Sequence, residues 1–252
     1  MNKKWMLSFL PYSLLLFSTS TFANHYDLSV GGGAAFSDLS NQDSPIVLSS
    51  FVTNRYDTDK NFQANLLAEL GVGYTWENLF HYPLNIGINV SGYYVNFNDI
   101  NGTEFPMVNL GNFDTLQYQF SAQSFAAMLE SHFYFTRYTW QPFIFVGIGV
   151  SWNHLYDYDE TPTNPRDSAA SLPVGFESNT ETSFAYEGGI GIQRLFFEDK
   201  KNNIQWLLAL DYRYMNLGKG ELGLIPTQTS SNTLEIDHLT NQAIVFTVTA
   251  AI

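Results

Sequence analysis

The chain has 252 residues and a mass of 28.5 kDa, and it is 45% hydrophobic and 16% aromatic but only 14% charged. That composition excludes a disordered chain, a coiled coil and a collagen-like fibre. Cysteine is absent, which excludes disulfide scaffolds, cysteine zinc sites and thiol catalysis, and a formal net charge of −13 argues against a nucleic-acid partner held by its phosphates.

Met1 to Ala23 has the parts of a secretory signal peptide: Lys3 and Lys4, the apolar stretch Trp5 to Phe17, and Thr21-Phe22-Ala23 before a cleavage point. The stretch is short for a membrane span and is interrupted by Ser8, Pro11 and Ser13. Cleavage would leave a mature chain from Asn24 with 24 acids against 9 bases. Residues 24–252 are expected to form one domain.

From there the dominant period is two, the signature of strands. The first run is Tyr26, Leu28, Val30, Gly32, Ala34 and Phe36, the second spans Phe62 to Trp76, and the third starts with Leu84, Ile86, Ile88 and Val90. The fourth, Leu116 to Phe135, changes parity. Leu116, Tyr118 and Phe120 share one phase, whereas Phe125, Ala127, Leu129, Phe133 and Phe135 share the other. A bulge near Ala122 to Ser124 is expected there, because one extra residue flips the alternation. Gln141 to Tyr156, Phe184 to Phe197, Ile204 to Asn216 and Leu239 to Ile252 complete a set of eight.

The connections alternate. Short stretches (Glu77 to His81, Thr136 to Trp140, Glu198 to Asn203) take turns with long polar ones (Ser37 to Asn61, Asn96 to Thr115, Asp157 to Ser183, Leu217 to His238). Short turns at one end and long loops at the other describe an outer-membrane barrel. A lipid-facing barrel also needs aromatic girdles. Trp76, Phe80, Tyr82, Phe133, Phe135, Tyr138, Trp140, Phe196, Phe197 and Trp206 gather at the short turns, and Tyr93, Tyr94, Phe97, Tyr118, Phe120, Trp152, Tyr156, Phe184, Tyr186 and Tyr214 at the loop ends. The expected fold is all-β: a closed eight-stranded antiparallel transmembrane β-barrel with long extracellular loops and short periplasmic turns in the cell outer membrane. Closure pairs every backbone group, as lipid requires. Glycines on the inward parity (Gly31, Gly33, Gly71, Gly73, Gly87, Gly147, Gly149, Gly189, Gly191) fit either a narrow interior or relief of strand curvature.

Three segments resemble the opacity-protein and surface-antigen barrels related to the OmpA and OmpX transmembrane domains. They are Gln141-Pro142-Phe143-Ile144-Phe145-Val146-Gly147-Ile148-Gly149-Val150, Leu210-Asp211-Tyr212-Arg213-Tyr214-Met215-Asn216-Leu217-Gly218, and the alternating end Ile244, Phe246, Val248, Ala250, Ile252. That family commonly ends in Phe where this chain has Ile252. The resemblance implies a non-enzymatic surface barrel that presents acidic loops as an antigen, an adhesin or an envelope stabiliser. The alternative is an OmpW-like, porin-like conduit for small or hydrophobic solutes. Implied partners are outer-membrane lipid and lipopolysaccharide, the barrel-assembly machinery through the C-terminal strand, and a host or envelope surface partner; no cofactor is implied.

Two groups of residues carry candidate chemistry. Parity turns Glu69, Glu130, His132, Glu187, Asp211 and Arg213 inward, either as a structural plug around Arg213 or as the lining of an ion path. The long loops carry 16 acids against Arg55, Lys60, Arg166 and Lys219, densest at Asp157, Asp159 and Glu160. Such carboxylates suit weak Ca²⁺ or Mg²⁺ bridging, though a merely solvated surface is the simpler reading and no dedicated metal site is assigned. Catalytic motifs are missing. Two places after the five histidines stand Asp27, Pro83, Tyr134, Tyr156 and Thr240, so the His-x-Ser pair of outer-membrane lipid hydrolases is absent, as are phosphate-loop and His-Glu-x-x-His patterns.

Overall fold

The computed structural model describes residues 24–38, 43–49, 52–59, 62–77, 82–110, 115–136, 139–164, 176–225 and 232–252. The expected signal peptide, Phe80 and Tyr138 lie outside the described residues. The strands are β1 (Asn24–Asp38), β2 (Asp43–Ser49), β3 (Val52–Thr58), β4 (Phe62–Trp76), β5 (Leu84–Phe105), β6 (Leu116–Phe135) and β7 (Gln141–Pro162). They continue with β8 (Phe176–Glu177), β9 (Asn179–Asp199), β10 (Ile204–Asn216), β11 (Gly220–Glu221), β12 (Gly223–Leu224), β13 (Glu235–Ile236) and β14 (Thr240–Ala251).

Eight long strands pair antiparallel in a ring, β1-β4-β5-β6-β7-β9-β10-β14 and back to β1. Pairing of the chain's first and last strands, with Asp27 opposite Ala251, leaves this ring without an edge. The expected eight-stranded barrel is therefore the observed one.

Alternation sorts the side chains. On β7, Ile144, Val146, Ile148, Val150 and Trp152 are exposed on the outside, while Phe143, Phe145, Ser151, Asn153 and Leu155 are buried within. Val30 on β1, Leu70 on β4, Leu129 on β6, Ile190 on β9 and Ile244 on β14 extend the same apolar belt. The span from Ile144 to Trp152 is about 27 Å along the strand, or about 20 Å once tilted. With an aromatic rim at each end this matches a lipid-facing band of about 25 Å. Near the termini the rim includes Tyr26, Tyr74 and Trp76, whose rings sit 5.0 and 4.9 Å apart in edge contacts. At the far end Tyr94 pairs with Phe125, and Tyr186 stands between Phe184 and Tyr214.

Beyond that far rim the strands continue, and here the expectations need correction. Much of the sequence expected as loop is strand: β5 runs on to Phe105, β7 to Pro162, β9 begins at Asn179, and the first long connection holds the β2–β3 hairpin. That hairpin joins the barrel wall where Arg55–Thr58 pair with Phe105–Gly102. No bulge interrupts β6, which keeps one parity from Leu116 to His132. The irregularities lie in its partners, between Phe97 and Ile100 on β5 and opposite Gln119–Ser121 on β7, where Asp157 adopts φ 56°. The hydrophobic phase of β6 inverts for a different reason. Within lipid the apolar side chains face out, whereas above it water is outside and they face in. For the same reason Phe97, Tyr118 and Phe120, expected in the girdle, are buried inside the barrel; Tyr93, also expected there, turns inward on the parity of its strand.

Candidate functional site

At the level of the belt the interior is polar. Arg213 of β10 is 2% exposed and organises it. Its Nε donates to Asp211 Oδ1 at 2.8 Å, Nη2 lies 3.0 Å from Glu69 Oε2 of β4, and Nη1 lies 3.6 Å from Glu187 Oε2 of β9. Nη1 also donates to the Tyr93 hydroxyl at 2.6 Å, which in turn donates to Glu130 Oε1 at 2.6 Å. Glu130 Oε2 meets His132 Nε2 at 2.6 Å. The guanidinium also lies over the rings of Tyr93 and Phe145, at 5.1 and 5.0 Å, and the His132 imidazole stacks on Phe145 at 5.0 Å. All six residues picked out by parity thus meet in one layer. Tyr93, which joins Arg213 to Glu130, was missed because its neighbour Tyr94 is a girdle residue and the pair reads as one rim.

Toward the termini the layer opens on a cavity of about 40 Å³, lined by Asp27, Ser29, Glu69, Asp211, Arg213 and Thr247 among others. This is room for a few waters. Asp27 accepts from Thr75 Oγ1 at 2.6 Å and lies 3.3 Å from His25, which also meets Glu77 at 3.3 Å. The inward glycines are needed for space. A Cβ on Gly147 would sit 2.7 Å from Glu187 Oε1, and one on Gly191 would sit 2.4 Å from the Phe143 ring.

Above the layer the far mouth is closed by an apolar core. Tyr56, Phe97, Tyr118, Leu155, Met215, Leu217, Leu222 and Leu239 are essentially inaccessible. The connection after β10 supplies part of it and is tied down by Asn153, whose Nδ2 donates to the carbonyls of Leu217 (2.8 Å) and Lys219 (2.6 Å). Gly218 permits the turn, with φ 74° and a Cβ position 2.5 Å from that of Ser183. Lys219 then reaches Glu235 and Glu221 at 2.6 and 3.0 Å, hydrogen bonds that push its ammonium above the ordinary lysine range.

The expected cation patch does not form one cluster. It lies on β7, where Asp157 and Asp159 face outward and Glu160 turns inward, accepting from the Tyr158 hydroxyl. Among the described residues no group of three or more His, Asp or Glu side chains is placed to hold a metal ion.

A family model described as an outer membrane protein beta-barrel domain matches residues 19–219. Comparison with curated proteins finds no match. Among solved structures, Neisserial surface protein A is similar at 10% identity, over 89% of this chain and 95% of its own, with a TM-score of 0.44. The attachment invasion locus protein Ail of Yersinia pestis, in complex with a heparin analogue, is similar at 11% identity, over 90% and 98%, with a TM-score of 0.36. OprG from Pseudomonas aeruginosa is similar at 17% identity, over 88% and 95%, with a TM-score of 0.39.

Proposed function

The chain belongs to the outer membrane protein β-barrel family, and from that premise we propose that it is a non-enzymatic surface barrel, anchored by its belt, whose work is done by its outer cap. One observation carries this reading: the apolar core of the far mouth sits over the Arg213 layer, and below that layer lies a cavity of about 40 Å³. An interior filled by its own side chains suits an anchor and a rigid platform for surface contacts, as an antigen, an adhesin or an envelope stabiliser. In barrels of this class short turns face the periplasm and longer connections face outward, which orients the cap to the cell exterior.

The same reading takes Met1–Ala23 as a cleaved export signal and β14 as the strand offered to the assembly machinery. It has lipopolysaccharide beside the upper rim, and a host or envelope partner on the acidic cap. Divalent ions bridge weakly through the outward Asp157 and Asp159, on the order of 10⁻⁴ to 10⁻³ M.

Planar-bilayer recording tests the proposal. Refolded protein is expected to give no steady conductance. Reproducible channels whose size changes in Arg213→Gln or Glu187→Gln would replace it with the conduit reading.

A further inference from the structure

A second cluster of buried ionisable groups lies in the cap, well outside the lipid belt. Glu104 of β5 and Glu160 of β7 stand on the two strands that flank Leu116 and Tyr118 of β6. Glu104 is 1% exposed, and its Oε1 accepts from Asn54 Nδ2 at 2.6 Å. Glu160 accepts from the Tyr158 hydroxyl, and the two carboxyl groups are within hydrogen-bonding reach of each other. Glu104 Oε2 and the Tyr56 hydroxyl are both fully buried, and the hydroxyl also lies within hydrogen-bonding reach of the Glu104 carboxyl.

Two carboxyl groups in such contact, one of them fully buried, repel as anions; a proton kept on one and donated to the other turns the repulsion into a hydrogen bond. Every element packed on the pair adds hydroxyls or negative charge. β3 brings Tyr56 and Asn54, with Asp57 and Asp59 at its end, β6 brings Tyr118, and β7 brings Tyr158 and Asp159. Arg55 of β3 is engaged with Asp57 at 3.4 Å and lies over the Phe105 ring at 4.3 Å.

We propose that Glu104 and Glu160 share one proton, and that this proton clasps the β2–β3 hairpin to the barrel mouth and releases it when lost. The hairpin's backbone pairing to β5 covers four residue pairs, so side chains carry much of the attachment. Asn54 is the coupling residue, because its Nδ2 donates to Glu104 while its Oδ1 accepts from Met107 N at 2.9 Å. Tyr56 packs edge-on against Tyr118 and Phe176, and Phe176 also meets Tyr158, so the second arm of the pair holds β8. Burial and the neighbouring Glu160 push the Glu104 carboxyl up to about 8, while burial keeps Tyr56 and Tyr158 protonated well past that point and Tyr118 to about 12.

The test uses the refolded barrel in nanodiscs at about pH 6 and about pH 9.5, a window below the tyrosine range. Infrared difference spectra should show the C=O stretch of a protonated carboxyl at the lower pH, absent in Glu104→Gln and in Glu160→Gln. Amide exchange at Asn54–Thr58, corrected for intrinsic rates, should speed up at least tenfold at the higher pH in the native protein. It should stay flat in either glutamine variant: Glu104→Gln has no proton to lose there, and in Glu160→Gln the amide donates to Glu104 in the proton's place and holds that carboxyl ionised across the window. An equal acceleration in both variants would overturn the clasp, as would a native hairpin indifferent to pH. Loss of the carboxyl band on adding Ca²⁺ at the lower pH would overturn it in favour of a metal site.

Discussion

Replacing Arg213 with methionine removes the guanidinium that faces Asp211, Glu69 and Glu187 while keeping a chain of similar length against Phe145. Removing one partner of a buried ionic cluster typically costs about 3–5 kcal/mol, because the remaining charges keep their desolvation penalty and lose their compensation. At about 1.4 kcal/mol per decade this is roughly two to four orders of magnitude in the folding equilibrium constant. With a urea slope of about 2 kcal/mol per molar, the midpoint should fall by about 2 M. The assay is reversible urea unfolding of the refolded barrel in lipid vesicles, followed by tryptophan fluorescence and by heat-modifiable migration on gels. A control separates charge from packing. In a Glu69→Gln/Glu187→Gln background the same Arg213→Met change leaves fewer carboxylates stranded, and its penalty should shrink to about 1–2 kcal/mol. An equal loss in both backgrounds would refute the electrostatic account and assign the effect to the arginine stem and its ring contacts. A loss below about 0.5 kcal/mol in the native background would refute the view that this layer stabilises the barrel at all.

Gly147→Val should destabilise by about 1–3 kcal/mol, since a Cβ there falls 2.7 Å from Glu187 Oε1, and unfolding midpoints will show it. Asn153→Ala removes one of two donors from each of the Leu217 and Lys219 carbonyls, which keep Ser151 Oγ and Ser183 Oγ, and leaves the Ser124 hydroxyl without its acceptor, at about 1–3 kcal/mol; limited proteolysis should cut between Leu217 and Leu239 sooner while the barrel stays intact. Calorimetry with Ca²⁺ should register weak heats that disappear in Asp157→Asn/Asp159→Asn and persist in Glu160→Gln, which changes an inward side chain. The cap should lose stability as pH rises from about 4.5 to about 8. Across that window the unfolded Glu104 has shed its proton and the folded one retains it, so the unfolded state binds fewer protons and stability falls with pH; Glu104→Gln should flatten the profile of unfolding midpoint against pH.

The eight strands of the barrel wall, and side-chain facing within the lipid belt, were legible in the linear order, because a period of two is a local property of the backbone. Phe62–Trp76, Leu116–Phe135 and Ile204–Asn216 were read with the bounds the structure has, and local parity alone turned Glu69, Glu130, His132, Glu187, Asp211 and Arg213 inward. The expected membrane barrel followed, since aromatic rims and alternating connections are also patterns along the chain.

The height of each residue was not legible. The switch of hydrophobic phase within β6 reads equally as a bulge or as a strand leaving lipid, and the structure decides for the second by continuing β5 and β7 past the rim beside it. The pairing of Tyr93 with Glu130 and Arg213, and of Glu104 with Glu160, depends on the register of strands far apart in sequence. What the sequence by itself determined is which side chains of a strand alternate together on one face. Which residues share a level, and whether lipid or water lies outside that level, was decided by closing the ring, because only closure fixes every strand's register against all the others.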